Sequence, residues 1–400
     1  MNSLPTIRQN RNEIMMMNKQ IFNLTDEEQL LTDKLSSVIK EEINKNGGLI
    51  PFRRYMELAL YYPGLGYYSN PRQKFGKEGD FITSPMVSSL FGNTLARQIL
   101  EVINFGVFPQ VLEFGAGNGK LAADILNSIG SEITSYCILE LSADLIALQK
   151  ETIQKIAGDY FDKVVWLNEL PEKFDGVIIA NEVLDAQPCE LLCRKGDSIH
   201  EIGVSYNTEG KFIYKDYDSS WQADNDDITN HWTNGYQSEW HGANTAFIQT
   251  LASNLNHGAI LLIDYGYGQT EYYHQEFYKG RLRGFFRHHL LDDVLIYPGL
   301  IDITTSVNWT KIATTAIDAG LDLIGYVNQA AFLINAGIAE TMGELRENLS
   351  HDEYIKLSNQ VNQLVSANQM GELFKVMALS RGIDEADWCG FRSGDLSYTL

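Results

Sequence analysis

The sequence predicts an α/β protein built on an open, mostly parallel seven-stranded sheet, and three observations carry that prediction. Short apolar runs at 111–114, 136–140, 164–167, 174–180 and 259–268 alternate with helical patterns, as strands and crossover helices do in a parallel sheet. The first of these runs enters its helix through Gly115, Gly117 and Gly119. A last apolar run at 374–380 follows one at 321–327, which suits an antiparallel edge pair.

The glycine turn organises the chain. Three glycines in Glu113-Phe114-Gly115-Ala116-Gly117-Asn118-Gly119-Lys120 remove every Cβ from the bend, so the backbone can take positive φ and meet a ligand directly. Helix 120–129 follows, with Leu121, Ile125, Leu126 and Ile129 on one face and its N-terminus aimed back at the turn. A dinucleotide fingerprint needs glycine where Lys120 stands, so the spacing disfavours a nicotinamide cofactor. It suits a nucleoside without phosphates whose amino-acid tail crosses the glycines: S-adenosylmethionine.

The chain supports this in order. Residues 1–47 read as an N-terminal helical extension, with Leu30, Leu31, Leu35, Val38, Ile39 and Ile43 in helical register before a stop at Gly47-Gly48. A helix over 51–60 leads to an aromatic turn, Tyr61-Tyr62-Pro63-Gly64-Leu65-Gly66-Tyr67-Tyr68, and then to the glycine-rich loop 75–85 before a helix over 87–102. The second strand ends in Glu140, 25 residues past Gly115, where a carboxylate can accept ribose hydroxyls. The fourth strand runs into Asn181-Glu182-Val183-Leu184-Asp185-Ala186-Gln187-Pro188, which brings an amide and two carboxylates to the same crevice. The bland alternative there is a capping Asn with acids in a first helical turn. A β-meander insertion begins near 188 and ends in a long loop over 218–243. Residues 281–304 lack periodicity and read as a lid or substrate loop. A helical insertion spans 329–368, and 383–400 is a C-terminal tail.

Composition narrows the function classes. Thirty-one basic residues against 52 acidic give a net charge of −21, which disfavours nucleic acid and anionic membrane and favours a basic partner. Cys137, Cys189, Cys193 and Cys389 show no metal spacing, and neither do the histidines, so no metal is expected. No run is long enough to span a membrane and the N-terminus lacks the apolar core of a signal peptide, which points to a cytoplasmic protein.

An ordered set of motifs resembles one family: Gly66-Tyr67-Tyr68, Gly79-Asp80-Phe81-Ile82-Thr83-Ser84-Pro85, the glycine turn, 181–188, Asp264-Tyr265-Gly266, and Pro298-Gly299 with Asp302-Ile303-Thr304. Together they resemble the MidA family of methyltransferases over residues 48–382. The resemblance implies a class I, Rossmann-like methyltransferase domain using S-adenosylmethionine. It also implies relatedness to a mitochondrial arginine methyltransferase needed for respiratory complex I assembly. The implied cofactor residues are Asp80, Thr83, Glu113, Gly115, Gly117, Asn118, Gly119 and Glu140, and the implied catalytic residues are Asn181, Glu182 and Asp185. Met86 stands where the family usually has Glu and Asn308 where it tends to have Asp, while the family histidine falls on His288 or His289. The expected activity is methylation of an arginine on a protein partner. Transfer to a small O or N nucleophile, or cofactor binding by an assembly factor without catalysis, are the alternatives.

Overall fold

The computed structural model describes residues 22–70, 83–218, 226–346, 349–384 and 387–400. Its main sheet runs Val164–Leu167, Ser135–Leu139, Gln110–Phe114, Phe174–Asn181, Leu255–Tyr267, Phe374–Arg381, Asp322–Asn328. The first five strands are parallel, and Phe374–Arg381 is antiparallel to both of its neighbours. A two-residue eighth strand, Val307–Asn308, extends the pairing of Leu255–Tyr267.

Both faces of the sheet are covered because its strands are apolar on both sides. Val111, Val177, Ile179 and Leu261 join the core under helices Ser89–Asn104, Lys120–Ile129 and Ala143–Ala157. Their neighbours Leu112, Ile178, Ala180 and Leu262 join the core under Gly242–Asn254 and Trp309–Asp318. Alternate residues of one strand thus feed opposite layers. The chain leaves Gln110–Phe114 in one direction and returns to Phe174–Asn181 on its other side. The strand order therefore reverses between these two, opening a crevice at their carboxyl ends. Gly115 and Glu182 follow those ends directly.

A third core lies outside the two layers. Leu35, Ile39 and Ile43 of helix Asp26–Lys45 pack with Phe52 and Tyr55 of helix Phe52–Tyr61, Val204, Phe286 and Ile303. Thr25 and Glu28 start the first helix as a capping box, with Glu28 N–H donating to Thr25 Oγ1 at 3.3 Å and Thr25 N–H to Glu28 Oε2 at 2.8 Å.

Three local expectations are corrected. Within 218–243, strand Gln237–Trp240 pairs antiparallel with Glu190–Lys195, and residues 219–225 fall outside the described residues. The sequence hides this strand because Glu239 is buried in it, its carboxylate accepting the N–H groups of Arg281 and Leu282 at 2.7 and 2.8 Å. Segment 281–304, expected to lack regular structure as a lid or substrate loop, carries a three-stranded sheet of Arg283–Phe286, His289–Leu291 and Asp302–Thr304. Its hairpin turns on Arg287 and His288 at φ 49° and 62°, a bend that asparagine and glycine ordinarily announce. The helix expected over 87–102 is two, Ser84–Val87 and Ser89–Asn104, divided at extended Ser88, whose Oγ accepts the Leu90 N–H.

Candidate active site

The crevice is a cavity of about 1170 Å³. Drug-sized pockets run to roughly 1,000 Å³, so there is room for a nucleoside cofactor beside a second ligand. Thr83, Glu113, Gly115, Gly117, Asn118 and Glu140 line one part, and Asn181, Glu182 and Asp185 line another. Gly119 does not appear among the described lining residues, and Asp80 lies outside the described residues.

The glycine turn has the conformation its composition demands. Gly115, Gly117 and Gly119 sit at φ 64°, 51° and 80°. Their neighbours demand glycine as well: a Cβ on Gly115 would stand 2.8 Å from Val183 Cγ2, and one on Gly119 would stand 2.9 Å from Gln149 Cα. Asn118 Oδ1 accepts the Lys120 N–H at 3.0 Å, which steadies the helix start. Lys120 itself turns away to pair with Asp124 one helical turn later.

Glu140 is held just as firmly. Its Oε1 accepts the N–H groups of Leu141 and Ser142 at 2.9 and 2.8 Å, and its Oε2 accepts Gln149 Nε2 at 3.2 Å. The same Gln149 nitrogen donates to the Gly117 carbonyl at 3.1 Å, while Gln149 Oε1 accepts Trp166 Nε1 at 2.9 Å. One fully buried amide therefore ties the glycine turn to the acid of the next strand. No sequence signal marks Gln149, which is one of several polar residues in helix Ala143–Ala157. Replacing it with leucine would remove the partner of the half-buried Gly117 carbonyl and of the half-buried Trp166 N–H, at about 1 kcal/mol for each lost hydrogen bond. Gln149→Leu is expected to lower the melting temperature by several degrees and weaken S-adenosylmethionine binding about tenfold. Scanning fluorimetry and calorimetry would check both, and unchanged binding would detach Gln149 from the site.

Segment 182–188 contains no helix, so its acids are not first-turn residues. It is an irregular loop pinned from outside at almost every residue. Glu182 N–H donates to the Ile263 carbonyl at 2.8 Å, and the Leu184 and Asp185 N–H groups donate to buried Asp264 Oδ2 at 3.0 and 3.1 Å. The carbonyls of Leu184, Asp185 and Ala186 accept Asn244 Nδ2, Thr305 N–H and the Tyr61 hydroxyl. This bracing keeps Glu182 at φ 54°, a conformation that costs a non-glycine residue of the order of 1–3 kcal/mol.

The Glu182 carboxylate has two distinct oxygens. Oε1 accepts the Ser84 N–H and Asn181 Nδ2, both at 3.2 Å. Ser84 is in turn fixed by donating its hydroxyl to Gln329 Oε1 at 3.0 Å, which links the site to the helical insertion. Oε2 makes no hydrogen bond with any described residue. Asn181 Oδ1 is buried and likewise has no partner among the described residues. Such an orphan acceptor, closed to water on a residue that lines the cavity, can take a ligand N–H once the side chain turns toward it.

Burial governs the charges. It pushes the Glu182 carboxyl up to about 7 against the pull of Ser84 and Asn181, and raises Asp185, which also feels Glu182. Asp264 is raised by burial and by both of these acids. Burial raises Glu113 to about 7 although the Tyr136 hydroxyl donates to it at 2.7 Å. The described lining holds seven carboxylates and no lysine, arginine or histidine. An acceptor set of that kind attracts cations, and it fits a sulfonium with an ammonium tail.

The two positions that depart from the family pattern fall in different places. Met86 lines the cavity, whereas Asn308 caps helix Trp309–Asp318 by accepting the Lys311 N–H at 3.2 Å, a task Asp would also perform. His288 and His289 sit on the hairpin turn rather than among the lining residues.

Comparison with known proteins agrees with this geometry. A family profile described as "Putative S-adenosyl-L-methionine-dependent methyltransferase" matches residues 94–327. A protein from Burkholderia thailandensis, crystallised with S-adenosyl-homocysteine, is 39% identical. It superposes with a TM-score of 0.90 over 95% of this chain and 100% of its own. A native crystal structure of an uncharacterized protein from the same organism, also 39% identical, superposes with a TM-score of 0.88. The mitochondrial protein arginine methyltransferase NDUFAF7 of Danio rerio is 28% identical over 369 residues, 83% of each chain. These matches join a glycine turn, a strand-end acid and an acid-lined cavity, and the chain belongs to the MidA family of S-adenosylmethionine-dependent methyltransferases.

Proposed function

We propose that this enzyme methylates an arginine side chain of a protein partner, with Glu182, Asn181 and Asp185 as its catalytic residues. The observation that carries this reading is the pair of acceptors, Glu182 Oε2 and Asn181 Oδ1, in a cavity wall with carboxylates and no basic side chain among its described residues. A guanidinium presents several N–H donors and a fixed positive charge, and nothing that needs a donor in return. Bound S-adenosylmethionine supplies an electrophilic methyl group. Glu182 orients one guanidinium nitrogen and takes the proton that nitrogen loses as its bond to carbon forms. Asn181 Oδ1 holds a second N–H, and Asp185 keeps the local potential negative. Curated relatives named as arginine methyltransferases support the reading.

The proposed cofactor residues are Thr83, Glu113, Gly115, Gly117, Asn118 and Glu140 on the wall, together with Gly119 and with Asp80, which lies outside the described residues. No helix among the described residues is long and apolar enough to cross a membrane, and all four cysteines are free. These features support a cytoplasmic or other reducing compartment, and the curated relatives carry mitochondrial names.

The test is incubation of the purified protein with labelled S-adenosylmethionine and arginine peptides, followed by mass spectrometry. Methylarginine is expected, whereas label found only on lysine, hydroxyl or carboxyl groups would overturn the proposal. A pH dependence follows from burial. With its carboxyl raised to about 7, Glu182 is largely protonated below that pH and cannot hold the cation. The kcat/KM for an arginine peptide should therefore rise with pH and level off above a midpoint near 7. A midpoint near the ordinary glutamate value would remove Glu182 from this role.

A further inference from the structure

We infer that Tyr61 is a specificity-determining residue whose ring stacks on the guanidinium of the substrate. The inference rests on the arginine reading above and goes beyond it, because it selects a planar cation over a compact ammonium. Tyr61 ends helix Phe52–Tyr61, lines the cavity, and is 38% exposed. A large aromatic residue that stays exposed inside a site is available to a ligand. Its orientation is set on two sides: its hydroxyl donates to the Ala186 carbonyl at 2.8 Å, four residues after Glu182, and its ring stacks on Tyr68 at 5.5 Å and 22°.

The ring is thus tethered to the loop that carries the proposed catalytic acid. Among the described residues, no lysine or arginine of the protein occupies it. Elsewhere the chain does use its aromatic faces in this way, as where Arg281 lies 3.6 Å from the Phe277 ring centroid and 3.9 Å from that of Tyr267. Glu57, one helical turn before Tyr61, also lines the cavity and adds negative charge on the approach, although it pairs with Arg54 at 2.9 Å. A guanidinium can therefore offer its edge to Glu182 and Asn181 and its face to Tyr61. A lysine ammonium has no face to offer, and the ring favours it less.

The test measures binding of acetyl-Gly-Arg-Gly-amide and its lysine counterpart to the protein saturated with S-adenosylhomocysteine, by titration calorimetry and NMR. Tyr61→Leu is expected to weaken the arginine peptide about tenfold and the lysine peptide by less than twofold. Tyr61→Phe keeps the ring and should recover most of that loss. The arginine Cδ protons should shift upfield on binding to the wild type and to Tyr61→Phe, and not with Tyr61→Leu. Wild-type affinity in Tyr61→Leu, or equal losses in the leucine and phenylalanine variants, would overturn the stacking role. A wild type that methylates arginine without discriminating the two peptides would overturn it too, leaving the arginine activity standing. Failure of the wild type to bind or methylate any arginine peptide would overturn both readings.

Discussion

Glu182→Gln should lower methyl transfer by about 10²-fold or more while S-adenosylmethionine binds with nearly wild-type affinity. The amide keeps the shape of the side chain, and its oxygen can still accept from Ser84 N–H and Asn181 Nδ2, so the loop should hold. What is lost is the second oxygen. In place of an acceptor that can take a proton, the variant presents an NH₂ group to a substrate that is itself all donors. The midpoint near 7 should vanish from the pH profile with it, leaving only the titration of Asp185, whose carboxyl is also raised by burial. Asp185→Asn should act in the same direction and less strongly. Single-turnover kinetics beside calorimetry would read these effects. Wild-type transfer by both variants would leave the two acids with a merely structural part, and wild-type transfer by Glu182→Gln alone would move proton acceptance elsewhere.

Gly117→Val should abolish cofactor binding. Gly117 lines the cavity at φ 51°, so a β-branched side chain there both strains the backbone and fills the space in front of the glycine turn. The strain alone is about 1–2 kcal/mol, a tolerable loss for a domain whose sheet is buried on both faces. A folded protein with a slightly lowered melting temperature and no calorimetric signal for S-adenosylmethionine is the expected result. Undiminished binding would take the nucleoside away from this turn. Gly119→Val would be less informative, since a Cβ there would collide with the Gln149 backbone and disturb the fold itself.

The half of the cavity proposed to hold the cofactor was legible because it is local. A strand, three glycines and a helix lie within twenty consecutive residues, and three left-handed conformations so close together, at 115, 117 and 119, strongly favour glycine. Glu140 was legible for a related reason, because adjacent parallel strands end together and a strand-end acid can be counted off. The acceptor half was legible as composition only. Asn-Glu-x-x-Asp after a buried strand reads equally well as a helix start, and what denies the helix is Asp264, some eighty residues away, capturing the N–H groups of Leu184 and Asp185. The aromatic turn at 61–68 was visible as a cluster, but nothing in its spacing says that Tyr61 reaches the Ala186 carbonyl.

By itself the sequence determined the alternation of strands and helices, the positive-φ turn and hence the kind of cofactor, since these follow from backbone sterics and apolar periodicity over short stretches. Tertiary structure alone decided which acceptor atoms of Glu182 and Asn181 stay unpaired among the described residues, and so available for the proposed role. Availability is what is left once every other buried donor and acceptor has found a partner, and those partners, Ser84, Ile263 and Asp264, come from distant parts of the chain. It likewise decided the buried strand around Glu239 and the hairpin at Arg287 and His288, where distant contacts override local residue preferences.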